Sequence, residues 1–186
     1  MDNVTKKNII DVLKEVYDSA KSKDIKRLKE LSNFTVHSAS VSQDEDSLSI
    51  AILIYSLFKI YGRPDYEKTK SWYFFNKNTL LSLKTARDKL INDDIEGYSN
   101  IIKDYFDSIE QLDKQLRRYI QEIIEQAKIK KGTRVYEHGI SMGRTAELLG
   151  ISKFELMDYI GKTGIADVNV GKNLSDRLNK ARGLFR

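Results

Sequence analysis

The chain of 186 residues and 21.5 kDa fits one large domain or two small ones, with 40% hydrophobic and 32% charged residues. It has no cysteine, which excludes disulfides, zinc–thiolate sites, iron–sulfur clusters and thiol catalysis, and its two histidines, His37 and His138, are too few for a histidine-rich metal site. One proline and ten glycines give too little turn punctuation for a repeated β architecture, and the net charge of +5 is unevenly spread: residues 128–186 carry 12 Lys and Arg against 6 Asp and Glu, a net of +6, whereas residues 1–127 sum to −1.

An all-α fold follows, with a helical bundle over residues 1–130 that ends in a long connecting helix, then a basic helix-turn-helix domain over 131–186. The basic excess in the last third suggests a contact face for an anionic partner, most often nucleic acid. No stretch has the ~20 apolar residues that a bilayer needs. The most apolar one, Leu48 to Tyr61, includes Lys59. The first residues read as an amphipathic helix, not a signal peptide, so a cytoplasmic location is expected.

In chain order, Ile9, Ile10, Leu13, Val16, Tyr17 and Ala20 recur at helical spacing and predict a first helix from Thr5 to Ala20. A short second helix after Asp24 would turn Ile25, Leu28 and Leu31 inward. The polar, Ser-rich and β-branched stretch from Asn33 to Gln43 reads as a loop. Ser42 and Glu45 have capping-box spacing, and Asp44, Glu45 and Asp46 suit a helix N-terminus. The helix that follows is apolar on nearly every side from Leu48 to Ile60 and is expected at the centre of the core. Gly62-Arg63-Pro64 stops it, and Pro64 can open the next helix. That helix carries Trp72, Tyr73, Phe74 and Phe75. Four consecutive aromatics cannot share one helix face, so some must be exposed or meet a partner.

From Ile95 to Ile123 apolar residues alternate at three- and four-residue steps: Ile95, Tyr98, Ile102, Tyr105, Ile109, Leu112, Leu116, Tyr119 and Ile123. This predicts one long helix, packed in its own bundle or forming a self-association seam. A homodimer is the expectation that the second alternative carries.

The segment SMGRTAELLGISKFELMDYIGKTG, Ser141 to Gly164, holds most of the functional information. Two short helical patterns flank Gly150-Ile151-Ser152. Ala146 is small enough for a helix crossing, and Gly150 can adopt positive φ. Leu149, Ile151, Leu156 and Tyr159 can lock the pair. Ser152 and Glu155 have capping-box spacing at the start of the second helix. This predicts a helix-turn-helix that binds double-stranded DNA. Its candidate contacts are Arg144, Thr145, Ser152, Lys153, Phe154, Met157 and Lys162, with Ser152 and Lys153 as phosphate or base-edge donors and Arg144 and Lys162 flanking. Glu155 and Asp158 lie on the same helix, which contains no arginine for a bidentate guanine contact. Phe154 could be core, or could dock a protein.

The stretch from Arg134 to Ile165 also resembles the core of small helix-turn-helix proteins of the antitoxin-like class that partner PIN-domain ribonucleases. The matching residues are Gly139, Ser141, Gly143, Ala146, Glu147, Leu148, Gly150, Ile151, Ser152, Phe154 and Glu155, and Thr145 stands where the first of two paired alanines is usual. The resemblance covers about thirty of the 186 residues. It implies DNA binding, autoregulation and a PIN-domain protein partner. The 130 residues before it resemble no family.

Residues 166–172 read as a polar linker. Leu174, Leu178, Ala181, Leu184 and Phe185 suggest a last basic amphipathic helix. Other chemistry is poorly supported. Gly161-Lys162-Thr163 lacks the glycine of a phosphate-binding loop, because Leu156 holds that place. Arg134 and His138 are too close for the arginine–histidine spacing of helical ribonucleases, and His138 beside Gly139 suits a helix C-terminus. His37, ahead of the acidic run, has no second histidine near it. No catalytic residue, metal or cofactor is expected. The leading reading is a transcriptional or antitoxin-like regulator, followed by a protein-interaction module, then a helical ribonuclease.

Overall fold

Asp2 opens the chain's first helix by accepting the backbone N–H groups of Val4 and Thr5, both at 2.8 Å. In the computed structural model, which describes residues 1–42 and 45–163, every regular element is helical. The α-helices are α1 (Asn3–Ser22), α2 (Ile25–Ser42), α3 (Glu45–Tyr61), α4 (Lys70–Ile91), α5 (Ile95–Ser108), α6 (Lys114–Glu137), α7 (Met142–Leu149) and α8 (Lys153–Thr163). No helix among the described residues is long and apolar enough to cross a membrane. The acidic residue Asp44 and the whole segment from 164 to 186, where the sequence predicts a linker and a last amphipathic helix, lie outside the described residues, as do the side chains of Ser42 and Glu45.

The apolar helix α3 takes the central place its composition requires. Leu48, Ile50, Ala51, Leu53, Ile54, Leu57 and Ile60 are all buried. It packs on α2 along one side and on α6 along another, while α1 lies against α4 and α4 against α5. The consecutive aromatics divide as helical geometry demands. Trp72 and Phe75 are buried and touch Tyr61, whereas Tyr73 and Phe74 are exposed.

Three expectations need correction. First, residues 33–42 form no loop; they extend α2 to Ser42. Weak local propensity yields to burial there: Ala39 and Thr35 are buried, and the Thr35 hydroxyl donates to the Leu31 carbonyl at 3.0 Å. Second, Pro64 opens a single 3₁₀ turn (Pro64–Tyr66), and α4 begins only at Lys70, where Thr69 Oγ1 accepts the Trp72 N–H at 3.1 Å. Third, the long heptad-patterned helix is two helices. The chain passes through a 3₁₀ turn at Ile109–Gln111, and Asp113 restarts it as α6 by accepting from Gln115 N–H and Leu116 N–H at 3.1 and 3.0 Å. The apolar stripe survives the break. Tyr98, Ile102, Tyr105, Ile109, Leu112, Leu116 and Ile123 are all buried in the chain's own core, so this stripe is no free seam for a second copy.

Helix α6 runs without interruption through Lys130 and Lys131, where the composition shifts. Its last turns carry α7 and α8.

Candidate nucleic-acid interface

Ser141 starts α7 by accepting the Arg144 N–H on its hydroxyl at 3.2 Å. Gly150 ends the helix at φ +63°, and the N–H of Ile151 returns to the Ala146 carbonyl at 3.1 Å. A left-handed C-terminal residue of this kind is where glycine is least strained. Two residues later Ser152 and Glu155 close a reciprocal capping box. The Glu155 N–H donates to Ser152 Oγ at 3.1 Å, and the Ser152 N–H donates to the Glu155 carboxylate at 2.8 Å. The Ser152 backbone N–H first, and the nearby Ser152 hydroxyl second, hold the Glu155 carboxyl below the usual glutamate range.

The pair closes over a small core of its own. Ala146, Leu156 and Ile160 are buried together, with Tyr136, Met142 and Ile151 packed around them. Tyr136 belongs to α6, so the last turns of α6, α7 and α8 form a three-helix unit. Gly132 fixes its seat on the bundle. A Cβ at Gly132 would overlap Leu149 Cδ1 outright and lie 3.2 Å from Leu149 Cγ. The absent side chain at 132 leaves the space that the Leu149 side chain fills, and a methyl there would make Leu149 change its rotamer or move α7 off α6. A glycine inside a helix, with no turn residue beside it, is the sequence signal for such an approach.

The candidate contact residues do not all share one surface. Lys153, Phe154 and Met157 are exposed on α8, Ser152 is exposed just before it, and Arg144 is exposed on α7. The Lys153 side chain stretches back over Gly143, so that its ammonium adjoins the start of α7. Thr145 does not belong with them. It is fully buried, with its hydroxyl unpartnered in the core beneath α7, and so cannot reach a nucleic acid. Position 145 lies on the buried side of α7, beside the buried Ala146. The backbone of Lys162 lies in α8, and its side chain lies outside the described residues. Tyr159 is half-buried, and Ile160 supplies the buried contact in its stead.

The exposed face is mixed in charge. Arg144 pairs with Glu147 at 3.0 Å, and Glu155 and Asp158 flank Lys153 and Met157. Phe154 and Met157, three residues apart, are 79% and 54% exposed, an uncovered apolar pair on the outer side of α8. His138 is the C-cap of α6, and its Nδ1 lies 2.7 Å from the Arg134 carbonyl. The side chain of His37 lies outside the described residues.

Known proteins assign no family. No protein-family model, curated protein or solved structure matches the chain.

Proposed function

We propose that the chain is a DNA-binding regulator that offers α8 to the major groove, with the start of α7 against the phosphate backbone. One observation carries this reading. The left-handed turn at Gly150 and the Ser152–Glu155 capping box turn the first residues of α8 outward while Leu156 and Ile160 anchor its back. Ser152, Lys153 and Arg144 then lie where helix-turn-helix proteins make phosphate and base-edge contacts. The acidic residues on the same face and the absence of arginine from α8 favour backbone-dominated binding of modest sequence preference. On this reading the regulator acts as a homodimer that presents two copies of α8. Because the heptad stripe is buried, the dimer contact uses another face.

Fluorescence anisotropy with a labelled duplex across a salt series tests the proposal. Affinity should fall with rising salt, and Lys153→Ala should lower the slope of log K against log salt by about one. No salt-dependent binding of duplex at low ionic strength would refute it. Light scattering that shows a single 21.5 kDa species at micromolar concentration would remove the dimer.

A second reading rests on Phe154 and Met157. An exposed phenylalanine with acidic neighbours suits a protein partner, and the antitoxin-like resemblance implies a PIN-domain ribonuclease. Phe154→Ala abolishing capture of such a protein, with duplex binding absent, would select it.

A further inference from the structure

A second cluster of functional character lies away from α7 and α8, in a cleft of about 540 Å³ between α2, α3 and α6. Its lining includes Lys29 of α2, Lys59 of α3, and Lys130, Lys131 and Arg134 of α6. No carboxylate lines it among the described residues. Among the described residues Lys29, Lys59 and Lys130 make no ion pair, and Arg134 meets Glu137 at 3.3 Å on its own helix.

Three of the ammonium groups gather on one ring. The Nζ atoms of Lys131, Lys130 and Lys59 lie 4.7, 5.5 and 5.8 Å from the centroid of Tyr55, which is itself buried. A ring quadrupole attracts a cation, but it cannot offset the mutual repulsion of three. Lys131 is the least expected of them, being only 4% exposed. Lysine is almost never buried without a counter-charge, and the hydrogen-bond partner here is the neutral Ser32 carbonyl at 3.1 Å. Burial first, then Lys130 and Arg134, push the Lys131 pKa down to about 8. The hydroxyl of Ser32, which also lines the cleft, is buried and unpartnered. Among the described residues this is a concentration of positive charge that no carboxylate in the cleft neutralises, with a spare hydrogen-bonding group. Charged groups crowded into a cleft at such expense to folding are candidates for a ligand site.

We infer that this cleft is a binding site for a small polyphosphorylated anion of nucleotide size. Four lysines with no carboxylate partner among the described residues, beside an Arg134 that Glu137 pairs, exceed what a single carboxylate or orthophosphate can neutralise, whereas a di- or triphosphate chain carries comparable charge. Sites for ligands of that size occupy roughly 300–1,000 Å³, which brackets this cleft. Lys131 and Ser32 would meet the deepest phosphate, and the exposed Lys29, Lys59, Lys130 and Arg134 would surround the rest. The inference does not depend on the DNA reading, because none of its residues belongs to α7 or α8.

Titration calorimetry and thermal denaturation of the full chain test it, with orthophosphate, tripolyphosphate, ATP and a short duplex as probes. NaCl at matched ionic strength is the reference. Tripolyphosphate or ATP should bind once per chain and raise the Tm, at least tenfold tighter than orthophosphate. ATP binding far tighter than tripolyphosphate would identify a nucleotide as the ligand, and equal binding would identify the phosphate chain alone; both support the site. The exposed changes Lys59→Ala and Lys130→Ala should each weaken binding about tenfold with the helical circular dichroism unchanged. Lys128→Ala, at a lysine outside the cleft that pairs with Glu125, should leave binding unchanged. The site is refuted if neither polyphosphate raises the Tm above the NaCl reference, or if Lys128→Ala weakens binding as much as Lys59→Ala does. Binding of the duplex alone, lost in Lys59→Ala and Lys130→Ala, would also overturn it, by making the cleft part of a nucleic-acid surface.

Discussion

Replacing Gly132 by alanine pits two local effects against each other, and the structure decides the sign. Inside an exposed helix the change would stabilise by about 1 kcal/mol, since alanine is the better helix former. At Gly132 the new methyl overlaps Leu149 Cδ1, in a contact that is buried on both sides. Leu149 must leave its rotamer or α7 must move off α6, and overpacking of this kind costs about 1–3 kcal/mol. The net expectation is a destabilisation of about 1 kcal/mol, or a fall in Tm of about 2–4 °C for a chain of this size. Thermal and urea unfolding followed by circular dichroism measure it, and hydrogen exchange should place the lost protection in α7 and α8. A double-mutant cycle sharpens the test. Leu149→Ala alone opens a cavity and costs about 2–5 kcal/mol. In the Gly132→Ala background the added methyl occupies part of that space, so the double variant should be more stable than the sum of the two by about 1 kcal/mol. If Gly132→Ala stabilises by the full helix-propensity gain, and the two changes are additive, then α7 does not rest on α6 as described.

Other expectations follow from single side chains. Thr145→Val keeps the volume and removes an unpartnered buried hydroxyl, so it should stabilise by about 1 kcal/mol in urea unfolding and leave duplex affinity unchanged; a loss of affinity would return Thr145 to the contact surface. Ser152→Ala removes half of the capping box and should cost about 1 kcal/mol, read as faster hydrogen exchange at the start of α8. An NMR titration should give Glu155 a midpoint below the usual ~4.3. Because that pKa is lowered in the folded state, its stabilising contribution is complete above the unfolded value and disappears as the pH falls through the folded one; a midpoint at or above the ordinary value would contradict the box. Lys131 has the opposite character. Its pKa is lowered from 10.5 to about 8, so the unfolded chain holds more protons between these values and wild-type stability gains with rising pH across that window. Lys131→Met should abolish that gain in urea midpoints measured from pH 7.5 to 10, and an unchanged slope would show that Lys131 is not desolvated.

Features that depend on near neighbours were legible in the order of residues alone. The apolar run from Leu48 to Ile60 had to be central, the amphipathic spacing of Ile9, Leu13, Val16 and Ala20 had to give a helix, and the Ser152–Glu155 box and the positive φ of Gly150 followed from offsets of a few residues. Capping, turn geometry and helical period act over one or two turns, so their signals stay in the local sequence. Tertiary packing decided the rest. Burial of Thr35 and Ala39 carried α2 through a stretch of poor helix formers, and Asp113 cut a continuous heptad pattern in two while both halves still faced one core. The same packing buried Thr145 and pressed Leu149 onto Gly132. It also drew Lys29, Lys59 and Lys131 to one cleft from three separate helices. Charges that far apart in sequence leave no motif or spacing to read; they become a site only when long-range burial brings their helices together.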